Sequence, residues 1–307
     1  MVTILKKLSI IGVFFLILCF PELSIKGSKD GLLLWYNTII PTLLPFIILS
    51  NTMILIDAIE YFTFFFYPIY KLVPRLLDCF ASLFFIGFFC GYPMGAKMID
   101  DFIAQQKLTQ SQGLFLLCIC NHASPMFLIG YVGIAVLKHS LPISVLLTCI
   151  YLPILLLFFI GVFLRPSLIL TPVYQRKPLL QNYIHNEMDI MANSFATILK
   201  IGGYIMLFSI LARFLITLPI PEYPLKALLL GTSEVTTGIQ YLNVLKIPTT
   251  KKTALIGAAA AFGGLSSVAQ TKSVLTQSKL PIFPYIIIKI LLATCTYFLI
   301  QGYYYFF

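Results

Sequence analysis

Residues 90–101 read "CGYPMGAKMIDD", directly after the apolar run Ala81 to Phe89. Two glycines, a proline and a lysine between positions 91 and 97 do not belong in an ordinary spanning helix. Pro93 removes a backbone donor and disfavours helical geometry at Tyr92, and Gly91 and Gly95 permit close backbone approach. Unwound backbone survives at membrane depth only where protein or a water-filled cavity surrounds it. The stretch therefore predicts a broken or re-entrant segment, whose freed amides and Lys97 could meet an anionic group. The competing reading is a plain helix end, with Lys97 snorkelling to the interface and Asp100 and Asp101 neutralising it.

The rest of the chain supplies the membrane. Its 307 residues are 59% hydrophobic and 10% charged, with a mean hydropathy of +0.95. Soluble domains average about 25% charged residues, so this is an all-α polytopic membrane protein with no room for a sizeable soluble domain. The length allows about 8–10 hydrophobic segments of roughly 20 residues. Candidates fall at 8–20, 32–56, 80–98, 112–137, 143–164, 193–218, 224–245, 253–276 and 282–305. The aromatic stretch 61–70 is too short to cross and reads as interfacial. The net charge of +10 is attributed to basic loops against an anionic leaflet rather than to nucleic acid. Seven cysteines form no CxxC pair and read as small buried apolar residues. Residues 8–20 resemble a signal peptide without a small-x-small cleavage site, so a retained first helix is expected.

The polar interval 165–192 divides the chain into related halves with broken or re-entrant helices. The expected organisation is an N-terminal membrane helix (1–31), a first gate-like half (32–164), a cytoplasmic linker (165–192) and a second half (193–307). Each half carries a Gly-containing polar motif followed by an interrupted apolar segment. These are "GYPMGAK" (91–97) with "CNHASP" (120–125), and "GTSEVTTG" (231–238) with "FGGLSSVAQTK" (262–272). Paired interruptions at corresponding positions point to a transporter binding site. The basic clusters Lys6/Lys7, 165–192 and Lys246/Lys251/Lys252 are all expected in the cytoplasm. Parity in the first half then needs one re-entrant segment, for which 80–98 is the candidate; a re-entrant 224–245 would break parity in the second.

Four further features join the opening stretch. Asn121 and Ser124-Pro125 interrupt an apolar segment, with His122 between them, and imply a kink. Asn193, Thr197, Lys200 and Tyr204 share one helix face, pointing either to the bundle interior or to the headgroup zone. Glu234 is a carboxylate at membrane depth and needs a partner, a cation or a proton. Gly263, Gly264, Ser266 and Ser267 with Gln270 mark either a broken helix or close packing. No HExxH, GxSxG, P-loop or GxGxxG occurs, so no enzyme, catalytic residue, metal site or cofactor is expected.

In this order, "WYNTIIPTLLPF" (35–46), "GYPMGAK", "CNHASPMFLIGYVG" (120–133), "EVTTG" (234–238) and "FGGLSSVAQ" (262–270) resemble the sporulation integral membrane protein YlbJ group, within the nucleoside-recognition gate domain superfamily. The resemblance covers roughly 32–276, and "GYPxGAK" with "CNxASP" is its most specific part. Position 269 is Ala where that group suggests a more polar residue. The resemblance implies a multi-pass transporter of a small anionic solute, dipicolinic acid, in the outer forespore membrane. It also carries Gly91, Lys97, Asn121, Ser124, Glu234 and Gln270 over as candidate binding residues. With the motif neighbours, the expected substrate site comprises Gly91, Tyr92, Pro93, Gly95, Lys97, Asn121, Ser124, Pro125, Glu234, Gly263, Gly264 and Gln270, with Asn193, Thr197 and Lys200 secondary. Expected partners are the solute, the bilayer and a coupling proton or cation. A nucleoside-like or other anionic substrate, or a non-transporting scaffold, are the alternatives.

Overall fold

Apolar helices with little amphipathic contrast build this chain, and they fall into the same order twice. The computed structural model describes residues 2–56, 80–138, 140–165, 167 and 187–306, all helical or irregular, with no strand among them. The stretch 61–70 and most of the 165–192 linker lie outside the described residues. Helix α1 (Val2–Cys19) meets α2 (Pro21–Leu34) at a bend of 107°, and α2 runs through a π-helical turn (Trp35–Ile39) into α3 (Ile40–Leu55). Next come α4 (Phe80–Cys90), α5 (Met94–Ala104), α6 (Gln110–Cys120), the π-helical α7 (Phe127–Leu137) and α8 (Ile143–Leu164). The second series is α9 (Glu187–Thr217), a short π turn (Glu222–Lys226), α10 (Ala227–Ser233), α11 (Val235–Val244), α12 (Thr249–Phe262), α13 (Gly264–Val274) and α14 (Ile282–Phe306).

By length and composition, four stretches among the described residues can cross a membrane: Ile143–Leu164, Ile190–Thr217, Thr249–Val274 and Ile282–Phe306. The bent pair Ile10–Cys19 with Pro21–Ile39 makes a fifth at most. Segments 80–98 and 224–245 are not single spans, because each folds back on itself. An uninterrupted helix rises about 1.5 Å per residue, so residues eight apart stand about 12 Å apart. Yet a Cβ built on Gly87 would lie 1.8 Å from the Cys120 carbonyl oxygen, and one on Gly95 would lie 2.1 Å from that same oxygen. Thus α4 and α5 form a hairpin with its tip at Tyr92-Pro93. Likewise a Cβ on Gly238 would lie 2.6 Å from Gly231 Cα, so α10 and α11 form a second hairpin with its tip at Glu234.

Each hairpin is followed by a broken crossing, α6–α7 interrupted at 121–124 and α12–α13 interrupted at Gly263, and then by an unbroken one, α8 or α14. The long elements that open the two series pack on each other. Gly27 and Gly31, spaced GxxxG, bring α2 onto the backbone of α9, where added Cβ atoms would stand 2.7 Å from Ile210 Cα and 2.9 Å from Met206 Cα. The Trp35 indole N–H donates to Ile198 O at 3.0 Å, and Asp30 pairs with Arg213 at 2.9 Å. Two apolar clusters fill the interior, one around Leu83, Ile99, Leu116 and Leu280, the other around Leu128, Val132, Ile239 and Ala260.

The second hairpin sets where the basic residues after it lie relative to α9. Lys226, at its base, donates to Ile216 O at 2.9 Å, and Lys252, beyond its other arm, donates to Asn243 O at 2.9 Å. The hairpin returns the chain to the end of α9 that it left, so Lys246, Lys251 and Lys252 sit at the Thr217 end. The 165–192 segment joins α9 at its Glu187 end. Residues 246–252 and the start of α9 therefore stand at opposite ends of that helix.

Candidate functional site

All four interruptions meet at one place. A cavity of about 40 Å³, room for a few waters, is lined by Gly91 and Tyr92 from the first hairpin tip and by Ala123 and Ser124 from the first broken crossing. Glu234, Val235 and Thr236 from the second tip, and Gly263, Ser266, Ser267 and Gln270 from the second broken crossing, complete its polar wall. Ile39, Leu43, Ile201 and Ile205 close the apolar side from the α2–α3 rod and α9.

The crossings are held by backbone. Gly91 adopts φ +71° and Gly263 φ +83°, the left-handed region that glycine enters without strain. The Tyr92 N–H donates to His122 O at 3.0 Å, fixing the first tip against the first break. A Cβ on Gly264 would lie 2.9 Å from Val235 N, so the second tip presses on the second break in the same way. The halves touch where a Cβ on Gly263 would stand 3.1 Å from Tyr92 Cε1. The start of α11 at Val235, the end of α4 at Cys90 and the break at Gly263 therefore border the same small space. Helix N-termini favour anionic groups, while carbonyl ends and unwound backbone favour cations.

Glu234 is buried and caps α11: its Oε2 accepts from the Thr237 N–H at 2.7 Å and from the Thr236 hydroxyl. Gln270 donates to Ser266 Oγ at 3.1 Å, and Ser124 Oγ accepts from the Phe127 N–H at 3.3 Å, starting α7. Tyr131 closes the outer side, its hydroxyl donating to Thr236 O at 3.0 Å.

Other expected site residues stand behind this wall. Pro93 precedes the first turn of α5, Gly95 seats Cys120, and Pro125 begins the turn into α7 without lining the cavity. Asn121 is fully buried; its amide donates to Thr271 Oγ1 and Tyr285 Oη, both at 2.9 Å, and the Tyr285 hydroxyl returns a bond to Asn121 O at 3.0 Å. It links the first break to α13 and α14, while its Oδ1 has no protein partner. Lys97 is half-buried one turn past the tip, beside Asp101, and does not line the cavity. Asp100 is not its counter-ion. It accepts from the backbone N–H groups of Thr276 (3.1 Å), Gln277 (3.1 Å) and Ser278 (2.8 Å) and from the Ser278 hydroxyl, clamping the turn that follows α13. On α9, Thr197 is buried and donates to Asn193 O at 2.8 Å, whereas Asn193 and Lys200 are exposed. The inward face of α9 is Ile190, Ser194, Ile198, Ile201 and Ile205, offset from the polar stripe.

The polar stripe that does face inward is on α14: Tyr285, Lys289 and Thr296 are all fully buried. Lys289 Nζ stands 3.5 Å from His122 Nδ1 and 5.8 Å above the Tyr92 ring. His122 Nε2 lies 2.8 Å from Cys118 O, which can only accept, so Nε2 carries the proton and Nδ1 faces the lysine. Lys289 is the sole charged residue of α14. That isolation in an apolar helix was the signal available in the sequence.

Two hairpins and two interrupted crossings, arranged as a repeated pair around a buried polar cavity, define an all-α polytopic integral membrane protein. Among known proteins the chain is similar to the sporulation integral membrane protein YlbJ of Bacillus subtilis (strain 168), at 22% identity over 309 aligned positions that cover 88% of this chain and 75% of that protein. It is YlbJ-like, as its motifs imply. No family model matches it, and no solved structure matches it.

Proposed function

We propose that the chain is a transporter of a small anionic solute, with dipicolinic acid in the outer forespore membrane as the favoured substrate and location. One observation carries the reading: four interruptions, far apart in sequence and two from each half, converge on a single polar cavity. Helix packing alone would not require Gln270, Ser266, Ser267 and Glu234 to face that space together. Helix starts and hydroxyl donors suit a carboxylate, and Glu234 is placed to carry the coupling proton or cation. Lys97 is not in the wall, so a dianion would be held by backbone and neutral donors, with Lys289 behind Tyr92 as the nearest buried cation. A cavity of about 40 Å³ is smaller than any aromatic dicarboxylate, so binding requires the halves to part at Tyr92 and Gly263. The sporulation context follows from the similarity to YlbJ.

The test is uptake of radiolabelled pyridine-2,6-dicarboxylate by proteoliposomes containing the full chain, competed with benzene-1,3-dicarboxylate, a monocarboxylate or uridine. Competition by the dicarboxylate alone supports this substrate class, whereas competition by uridine favours a nucleoside-like substrate.

A further inference from the structure

Lys289 lies two turns into α14 and is fully buried. An ammonium at that depth is costly and normally faces a carboxylate. No carboxylate pairs with Lys289 among the described residues, whose one ion pair is Asp30 with Arg213. The groups against it are the His122 imidazole, the Tyr92 ring and Cys118. Its hydrogen bond to His122 Nδ1 is long, at 3.5 Å, and ends on a neutral acceptor, because Nε2 gives its proton to Cys118 O. One of the three ammonium donors is used in this way, and the face of the Tyr92 ring offsets the charge only in part.

The position of Lys289 ties this unmatched charge to the central cavity. His122 directly precedes Ala123 and Ser124, which line that cavity. Tyr92 lines it too, and Lys289 Nζ stands 5.8 Å from the centroid of the same ring, over its face. The Tyr92 N–H is fixed to His122 O, while the ring edge meets Gly263. Parting of the halves at Tyr92 and Gly263, which an aromatic dicarboxylate requires, frees that edge and lets the ring turn off the lysine. Among the described residues, the cavity wall holds no basic side chain, and its one acidic side chain, Glu234, disfavours an anion. A preference for anions therefore needs a cation set behind the wall. At an effective dielectric of about 20, a unit charge about 7 Å from a carboxylate is worth more than tenfold in affinity.

We propose that Lys289 is the residue that selects anions, supplying the counter-charge to a carboxylate in the central cavity, with His122 as the positioning residue that holds it there. This role rests on the central cavity being the solute site. Binding to the purified full chain is measured by equilibrium dialysis with pyridine-2,6-dicarboxylate, pyridine-2-carboxylate and the uncharged pyridine-2,6-dicarboxamide. The unmodified chain is expected to bind the dianion at least tenfold tighter than the dicarboxamide. Lys289→Met removes the charge and keeps an unbranched apolar side chain. It is expected to weaken the dianion at least tenfold, the monoanion less, and the dicarboxamide less than twofold. Lys289→Gln is read in the same way should the methionine variant fail to fold. His122→Phe, which removes the acceptor for the lysine, is expected to lower the preference for dianion over dicarboxamide severalfold. Equal weakening of all three probes in the Lys289 variants, as a packing role would give, or unchanged dianion binding, would overturn the role of Lys289 and leave the cavity as a solute site. Binding of none of the probes by the unmodified chain would overturn both.

Discussion

Tyr92 and Gly263 meet across the middle of the molecule: a Cβ added at Gly263 would stand 3.1 Å from Tyr92 Cε1. One residue is the tip of the first hairpin and the other the break of the second crossing. Their contact is where the two halves close over the cavity. A larger residue at 263 would meet both the Tyr92 ring and the strain of φ +83°. Gly263→Ala is therefore expected to lower uptake more than tenfold and to lower the midpoint of thermal unfolding, followed by fluorescence-detected size exclusion.

The hairpins make a sharper packing prediction. Gly87→Ala and Gly95→Ala each drive a methyl into the Cys120 backbone carbonyl, which cannot move aside as a side-chain end could. Each should cost about 1–3 kcal/mol or prevent assembly. Gly130→Ala and Gly203→Ala, where an added Cβ would meet nothing within 4 Å beyond its own helix, should hold or raise the unfolding midpoint. Equal effects at all four glycines would remove the case for tightly folded hairpins.

Much of this was legible in the sequence, and the reason is local. Pro93 with its flanking glycines, Ser124-Pro125 and Gly263-Gly264 break helices by their own backbone chemistry, so the interruptions could be placed before any packing was known. Burial could not be. Lys97 reads as a site residue because it sits in the motif, yet helical geometry turns it away from the cavity one residue turn past the tip. Asp100 reads as its partner, yet it spends its oxygens on the 276–278 turn. The stripe on α9 has the right spacing for an inward face and the wrong rotation. Lys289 has no motif around it and only its isolation in an apolar helix to mark it; the packing of α14 against His122 and Tyr92 supplies its partners.

Asp100 and Glu234, both buried carboxylates, should therefore behave differently on amidation. Asp100→Asn turns an amide toward backbone donors and should destabilise the chain by about 1.5–3 kcal/mol, seen as a lower unfolding midpoint. Glu234→Gln keeps an oxygen for the Thr237 N–H, so the helix cap survives. Its unfolding midpoint should hold within a few degrees while uptake ceases to respond to an imposed proton or cation gradient.

Sidedness supplies a fourth prediction. Because the second hairpin returns to the Thr217 end of α9, Arg176→Cys and Lys251→Cys, each in a cysteine-free background, should react with a membrane-impermeant maleimide from opposite sides of sealed vesicles. Labelling of both from one side would mean that residues 227–244 cross the membrane and are not a hairpin.

The proposed transport role of the convergent cavity has one direct test. Its most direct measurement is the initial rate of pyridine-2,6-dicarboxylate uptake into proteoliposomes by the full chain and by Gln270→Ala, a variant that alters only the cavity wall and its bond to Ser266. Saturable uptake well above protein-free vesicles is expected for the unmodified chain, reduced at least tenfold in an equally well-folded Gln270→Ala. Uptake no faster than in empty vesicles for pyridine-2,6-dicarboxylate, benzene-1,3-dicarboxylate and uridine alike, or equal rates for both proteins, would contradict it.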